Sequence, residues 1–160
     1  MNAEQQKKNK IMSILMKTEV SMVAIIAIIF IAASLGTQNF LTAYNLTNIL
    51  KQCAIIGIIS IAETYVIITA GIDISCGAIV GMSTLIVAMS QAKWGLSVPV
   101  SLLLGILVAI ISGVFNAALV YEFRVPAFVA TLGSQTILRG LIKVISNGGT
   151  VAGINKAFAG

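Results

Sequence analysis

From residue 96 to residue 120 the chain reads LSVPVSLLLGILVAIISGVFNAALV, twenty-five residues without a charged side chain. As a helix this run would measure about 37 Å, more than the roughly 30 Å of hydrocarbon in a bilayer. A helix on the surface of a soluble domain keeps a polar face, and this run has none. Four further apolar runs accompany it, at 20–36, 53–70, 74–91 and 127–138. The composition points the same way. Only 9% of residues are charged, against about a quarter in soluble domains. The expected fold class is all-α: a polytopic transmembrane helix bundle with four full spans. The fifth run is expected to be a shorter or re-entrant helix, because only about a dozen residues separate Pro126 from Arg139.

The chain divides into a basic N-terminus at 1–19, a transmembrane region at 20–145 and a glycine-rich tail at 146–160. Ile11, Met12, Ile14, Leu15 and Met16 mix apolar residues into the basic segment and suit a short interfacial helix. The leader before the first run is long for a signal peptide, and more apolar runs follow, so that run reads as an uncleaved span. Lys7, Lys8, Lys10, Lys17 and Arg124 fall on one side of the resulting topology, and Lys51 and Lys93 on the other, where Arg139, Lys143 and Lys156 would also lie and dilute the bias. That bias places the N-terminus inside, facing anionic membrane lipid. The basic residues do not gather on a soluble face, which excludes a nucleic-acid partner.

Catalytic chemistry has little to work with. The chain has no histidine, which removes Ser–His pairs and most metal sets. Its two cysteines, Cys53 and Cys76, form no disulfide framework and read as small buried residues. No cofactor site, metal site or phosphate-binding loop is expected. Glu63 and Asp73 are ten apart, on opposite sides of a helix end, and do not read as an acid–base pair.

The polar residues inside the apolar runs carry the remaining information. Glu63 falls near the middle of the second run, where a carboxylate must be neutral, paired or beside water. Ser60 and Thr64 share part of its helix, and together they are pathway-lining candidates. Asn116, in the fourth run, suits a hydrogen bond between helices. Asn45 and Thr47 suit the N-cap of the second helix. In AGIDISCG, Gly71 can adopt the left-handed conformation that ends a helix, and Asp73 or Ser75 can cap the next one. Asp73 is thus either a helix cap or a polar group at the mouth of a solute path. Gly105, Ala109, Gly113 and Ala117 recur every four residues, as do Gly77 and Gly81, and each set makes a smooth stripe for close helix packing.

Two segments carry a resemblance. VIITAGIDISCGAIVGMS resembles a segment of the permease subunits of bacterial ATP-binding-cassette sugar importers of the ribose, galactose and xylose type, through Val66, Ile67, Thr69, Gly71, Ile72, Asp73, Ser75 and Gly77. Ala70 stands where that family usually has glycine. RVPAFVATLGSQTILRGL is similar to a second family segment, through Pro126, Phe128, Thr131, Leu132, Gly133, Arg139 and Gly140. The resemblance covers about residues 36–145. It implies a non-enzymatic transport subunit in the bacterial inner membrane. The implied partners are a pair of cytoplasmic ATPases, a periplasmic or lipid-anchored sugar-binding protein and a second permease subunit. It also implies that these 160 residues are an N-terminal half, lacking the loop that receives the ATPase's motion. The rival expectation is an ion-coupled secondary carrier using Glu63 or Asp73.

Overall fold

A computed structural model describes residues 17–153. The basic cluster Lys7, Lys8 and Lys10, the expected interfacial helix and Lys156 lie outside the described residues. Five helices follow in order: α1 (Thr18–Gly36), α2 (Ala43–Ile68), α3 (Cys76–Ala92), α4 (Val98–Tyr121) and α5 (Ala127–Ser146). The described residues contain no strand. The chain is a multi-pass membrane protein: α1, α2, α4 and α5 are each long and apolar enough to cross a bilayer.

The short helix is not the one expected. α5 runs for 20 residues, about 30 Å and a full span. Arg139 and Lys143 continue it rather than end it, because charges near the end of a membrane helix can reach water or headgroups. The short helix is α3, with 17 residues, about 25 Å. It starts late because residues 71–75 before it are non-helical.

The described residues fall into two compact units, one ending at Gly57 and the other beginning at Ile58. In the first, the Phe30 and Phe40 rings meet edge-on, with centroids 5.0 Å apart. α1 is apolar on every side and buries no residue, as a helix solvated by lipid or by other membrane helices does. The N-terminus of α2 is capped by Thr42, whose hydroxyl accepts the Asn45 N–H at 3.3 Å. Asn45 and Thr47 are not the caps, because the helix begins before them: their side chains donate to the carbonyls of Phe40 and Ala43.

In the second unit α3, α4 and α5 pack against one another in all three pairings. The core is Met82, Leu85 and Met89 of α3, with Val108 of α4 and Leu138, Ile142 and Ile145 of α5 packed against it. Gly105 lets α4 approach α3: a Cβ there would stand 2.6 Å from Val87 Cγ2. Gly81 plays a milder part, its would-be Cβ lying 3.3 Å from Ile142 Cδ1. The rest of the stripe is not buried in this unit. Ala109 is half-buried, Gly113 and Ala117 are exposed, and open space surrounds Gly77 and Gly113.

Candidate functional site

The non-helical segment between α2 and α3 is held by side chains from helices much later in the sequence. α2 ends as the Gly71 N–H returns to the Val66 carbonyl at 2.9 Å. The left-handed residue at this end is Ala70, with φ of 58°, rather than Gly71. Gly71 is needed for another reason: a Cβ there would lie 3.0 Å from Val66 Cγ1 and 3.2 Å from the Val66 carbonyl oxygen.

Beyond this turn, Asp73 Oδ1 accepts two hydrogen bonds from Ser75, from its N–H at 2.7 Å and its hydroxyl at 2.6 Å. Asp73 therefore organises the residue before α3 instead of reaching into the helix's first turn. Ser75 is fully buried and takes the N-cap position, with no side-chain bond to the first turn. Its hydroxyl accepts instead from Asn116 Nδ2 of α4, at 2.8 Å. Asn116 Oδ1 in turn accepts from the Ser134 hydroxyl of α5. Ser75, Asn116 and Ser134 are all buried. The result is a continuous polar chain, Asp73–Ser75–Asn116–Ser134, through an otherwise apolar three-helix core. Such a chain is stable only when every member is satisfied.

α5 grips the same segment twice more. Thr131, also buried, donates toward the Ile72 carbonyl at 3.2 Å and accepts from the Ile74 N–H at 3.4 Å. Its hydroxyl also lies 2.8 Å from the Ala127 carbonyl, the usual partner of a helical threonine. Gln135, with its amide turned to satisfy its neighbours, donates to the Ile74 carbonyl at 3.0 Å and accepts from Arg139 at 3.0 Å. Thr131, Ser134 and Gln135 share one face of α5 because residues three and four apart are neighbours on a helix. Backbone that leaves the helix inside a membrane protein needs such partners.

Glu63 faces away from this chain. It lines a cavity of about 270 Å³ with Asp73, Cys76, Ile58, Ile59, Ala62, Val66, Ile79 and Val80. The Cys76 side chain and the Glu63 carboxylate line the same space. Two carboxylates that sequence spacing set apart thus border one space, and no lysine or arginine lines it. Ser60 and Thr64 do not join them: both are exposed, and the Thr64 hydroxyl bonds to the Ser60 carbonyl. Neither cysteine is buried, since α2 leaves Cys53 exposed and Cys76 sits half-buried at the cavity wall.

The remaining motif residues are distributed. The Pro126 carbonyl opens α5 by accepting the Val129 and Ala130 N–H groups. Phe128 is half-exposed, and Gly133 borders open space. Sequence reasoning missed Ser134, Gln135 and the facing of Cys76. The signal for the first two was their spacing of three and four from Thr131 on a helix.

Residues 45–157 match the family described as branched-chain amino acid transport system / permease component. The xylose transport system permease protein of Haemophilus influenzae is 33% identical over 91% of this chain and 39% of its own length. The fructose import permease protein of Rhizobium meliloti is 37% identical over 72% of the chain and 32% of its own length. The ribose import permease protein of Bacillus subtilis is 33% identical over 82% of the chain and 40% of its own length. The chain thus spans about two fifths or less of these curated relatives. No solved structure matches it.

Proposed function

Because the chain belongs to the branched-chain amino acid transport system / permease component family, we propose that it is the N-terminal part of the membrane subunit of an ATP-binding-cassette importer for a monosaccharide. The observation that carries this reading is the similarity, over most of the chain, to permease proteins named for xylose, fructose and ribose. ATP hydrolysis belongs to partner ATPases, delivery to a sugar-binding protein outside the membrane, and a second permease subunit completes the path. The N-terminus faces the cytoplasm, so the segment carrying Asp73 and the turn at 122–126 lie on the cytoplasmic side.

Within this reading the Asp73–Ser75–Asn116–Ser134 chain is a scaffold that fixes the start of α3. The cavity with Glu63 and Asp73 is the stretch of wall suited to hydroxyl-rich solutes, because carboxylates accept hydrogen bonds from sugar hydroxyls. The shared placement of these two carboxylates also gives a specific footing to ion-coupled carriage. One experiment separates the two. Labelled-pentose uptake is measured in cells expressing the complete permease with its ATPase and binding protein, with an uncoupler added under conditions that preserve ATP. Uptake that persists, and is lost when the ATPase gene is deleted, supports the importer. Uptake abolished by the uncoupler alone overturns it in favour of the carrier.

A further inference from the structure

The helix lengths and cross-helix bonds fix how deep the break between α2 and α3 lies. Asn116, which bonds to Ser75, stands five residues before the end of α4 at Tyr121, about 8 Å along the axis. Ser134, which completes the chain, stands seven residues after the start of α5 at Ala127, about 11 Å along. The turn between these helices carries Glu122 and Arg124, both exposed, and belongs at the membrane surface. Ser75 is therefore not level with that turn.

The other dimensions agree. The apolar part of α2 after Lys51 and Gln52 is residues 53–68, about 24 Å of helix. α3 gives about 25 Å. Neither crosses roughly 30 Å of hydrocarbon from a start at the surface. Each reaches the opposite face when its other end is inset by the 8–11 Å just measured, which brings Lys93 and Trp94, both exposed, to that opposite interface. At such depth, irregular backbone persists only where protein covers it or water reaches it. Thr131 and Gln135 satisfy backbone groups of Ile72 and Ile74. On the other flank lies the cavity bordered by Glu63, Asp73 and Cys76, with two carboxylates and no basic residue. Acidic side chains at such depth are paired or face water, and no basic residue lines this cavity to pair with them.

We infer that the break at residues 69–75 is set about 8–11 Å inside the hydrocarbon layer, and that the cavity beside it is a water-filled vestibule opening on the side of the 122–126 turn. This inference rests on the membrane-spanning fold alone and not on the transported solute, so its failure leaves the importer reading standing. Cys76 borders the vestibule and serves as a natural reporter, while Phe115, next to Asn116 on α4 and half-exposed, marks the same depth beside the apolar side chains of Ile111, Ile137 and Leu138.

The test reconstitutes the chain in phosphatidylcholine nanodiscs and treats it with a cationic, membrane-impermeant methanethiosulfonate. Tandem mass spectrometry on the unsubstituted protein reads Cys76 separately from Cys53. A second sample carries Phe115→Cys in a background with Cys53→Ala and Cys76→Ala. Thiosulfonates attack the thiolate, which forms in water, so Cys76 is expected to react at least about tenfold faster than a cysteine at position 115. Nitroxides at the two positions check the depth. Position 115 should relax faster with oxygen than with a water-soluble nickel chelate, and position 76 should show the reverse. A nickel-favoured signal at 115 would place the break at the surface and overturn the inset. An oxygen-favoured or silent signal at 76, or modification no faster than at 115, would overturn the vestibule.

Discussion

The amide of Asn116 donates to the hydroxyl of Ser75 at 2.8 Å, across forty-one residues of sequence and from one helix to the threshold of another. The bond is buried, and Asn116 simultaneously accepts from Ser134. One side chain in α4 therefore joins the start of α3 to the middle of α5.

Replacing Asn116 with leucine should leave the buried Ser134 hydroxyl without its Asn116 partner, while the Ser75 hydroxyl keeps only its bond to Asp73. An orphaned buried polar group costs about 1–3 kcal/mol, and a lower thermal unfolding midpoint in detergent would show it. In a double-mutant cycle, Ser134→Ala and Asn116→Leu should be less than additive, because both remove the same bond. Strict additivity would mean that the Asn116–Ser134 bond contributes nothing.

Asp73→Asn should fold almost as well as the native chain, since an amide oxygen can take over both hydrogen bonds from Ser75. Asp73→Ala cannot, and should lose about 1–2 kcal/mol. Equal losses for the two variants in chemical unfolding would show that charge matters there rather than acceptor geometry.

Ala70 holds a φ of 58°, a conformation that costs a residue with a Cβ about 1 kcal/mol or more relative to glycine. Ala70→Gly is expected to raise stability by roughly that amount, less the added freedom of the unfolded chain. An unchanged or lower unfolding midpoint would contradict the strain.

At Gly105 a single methyl group would come within 2.6 Å of Val87 Cγ2. Gly105→Ala should therefore push α4 off α3, with a cost of about 1–3 kcal/mol from overpacking. Val87→Ala should restore much of the loss when combined with it. Gly113→Ala is the control: nothing lies near its would-be Cβ, so little change in stability is expected.

Much of this architecture was legible from the apolar runs alone, because a bilayer demands long uninterrupted helices. The identity of the short helix was not. Arg139 looked like a terminus because charge usually ends a membrane run, whereas α5 continues past it and pairs Arg139 with Gln135. The end of α2 misled for a related reason. Glycine is the usual left-handed residue, yet Ala70 takes that role here and Gly71 serves a close backbone approach. Asp73 and Ser75 stood out, but their partners Asn116, Thr131, Ser134 and Gln135 come from other helices, and periodicity along one segment does not reveal which faces meet. The small-residue stripe on α4 was visible in full, although this unit buries only its Gly105 end.

The grip of Thr131 on Ile72 spans fifty-nine residues. At roughly 5–20 residues per second, a ribosome needs about 3–12 s to make that interval. Throughout it, the segment around Asp73 has left the ribosome's peptidyl-transferase centre while its restraints from α5 have not yet been synthesised. The nascent chain therefore passes that interval with the Ile72 carbonyl and the Ile74 N–H still without Thr131, and only the bonds among Asp73, Ser75 and Asn116 can form before α5 is made.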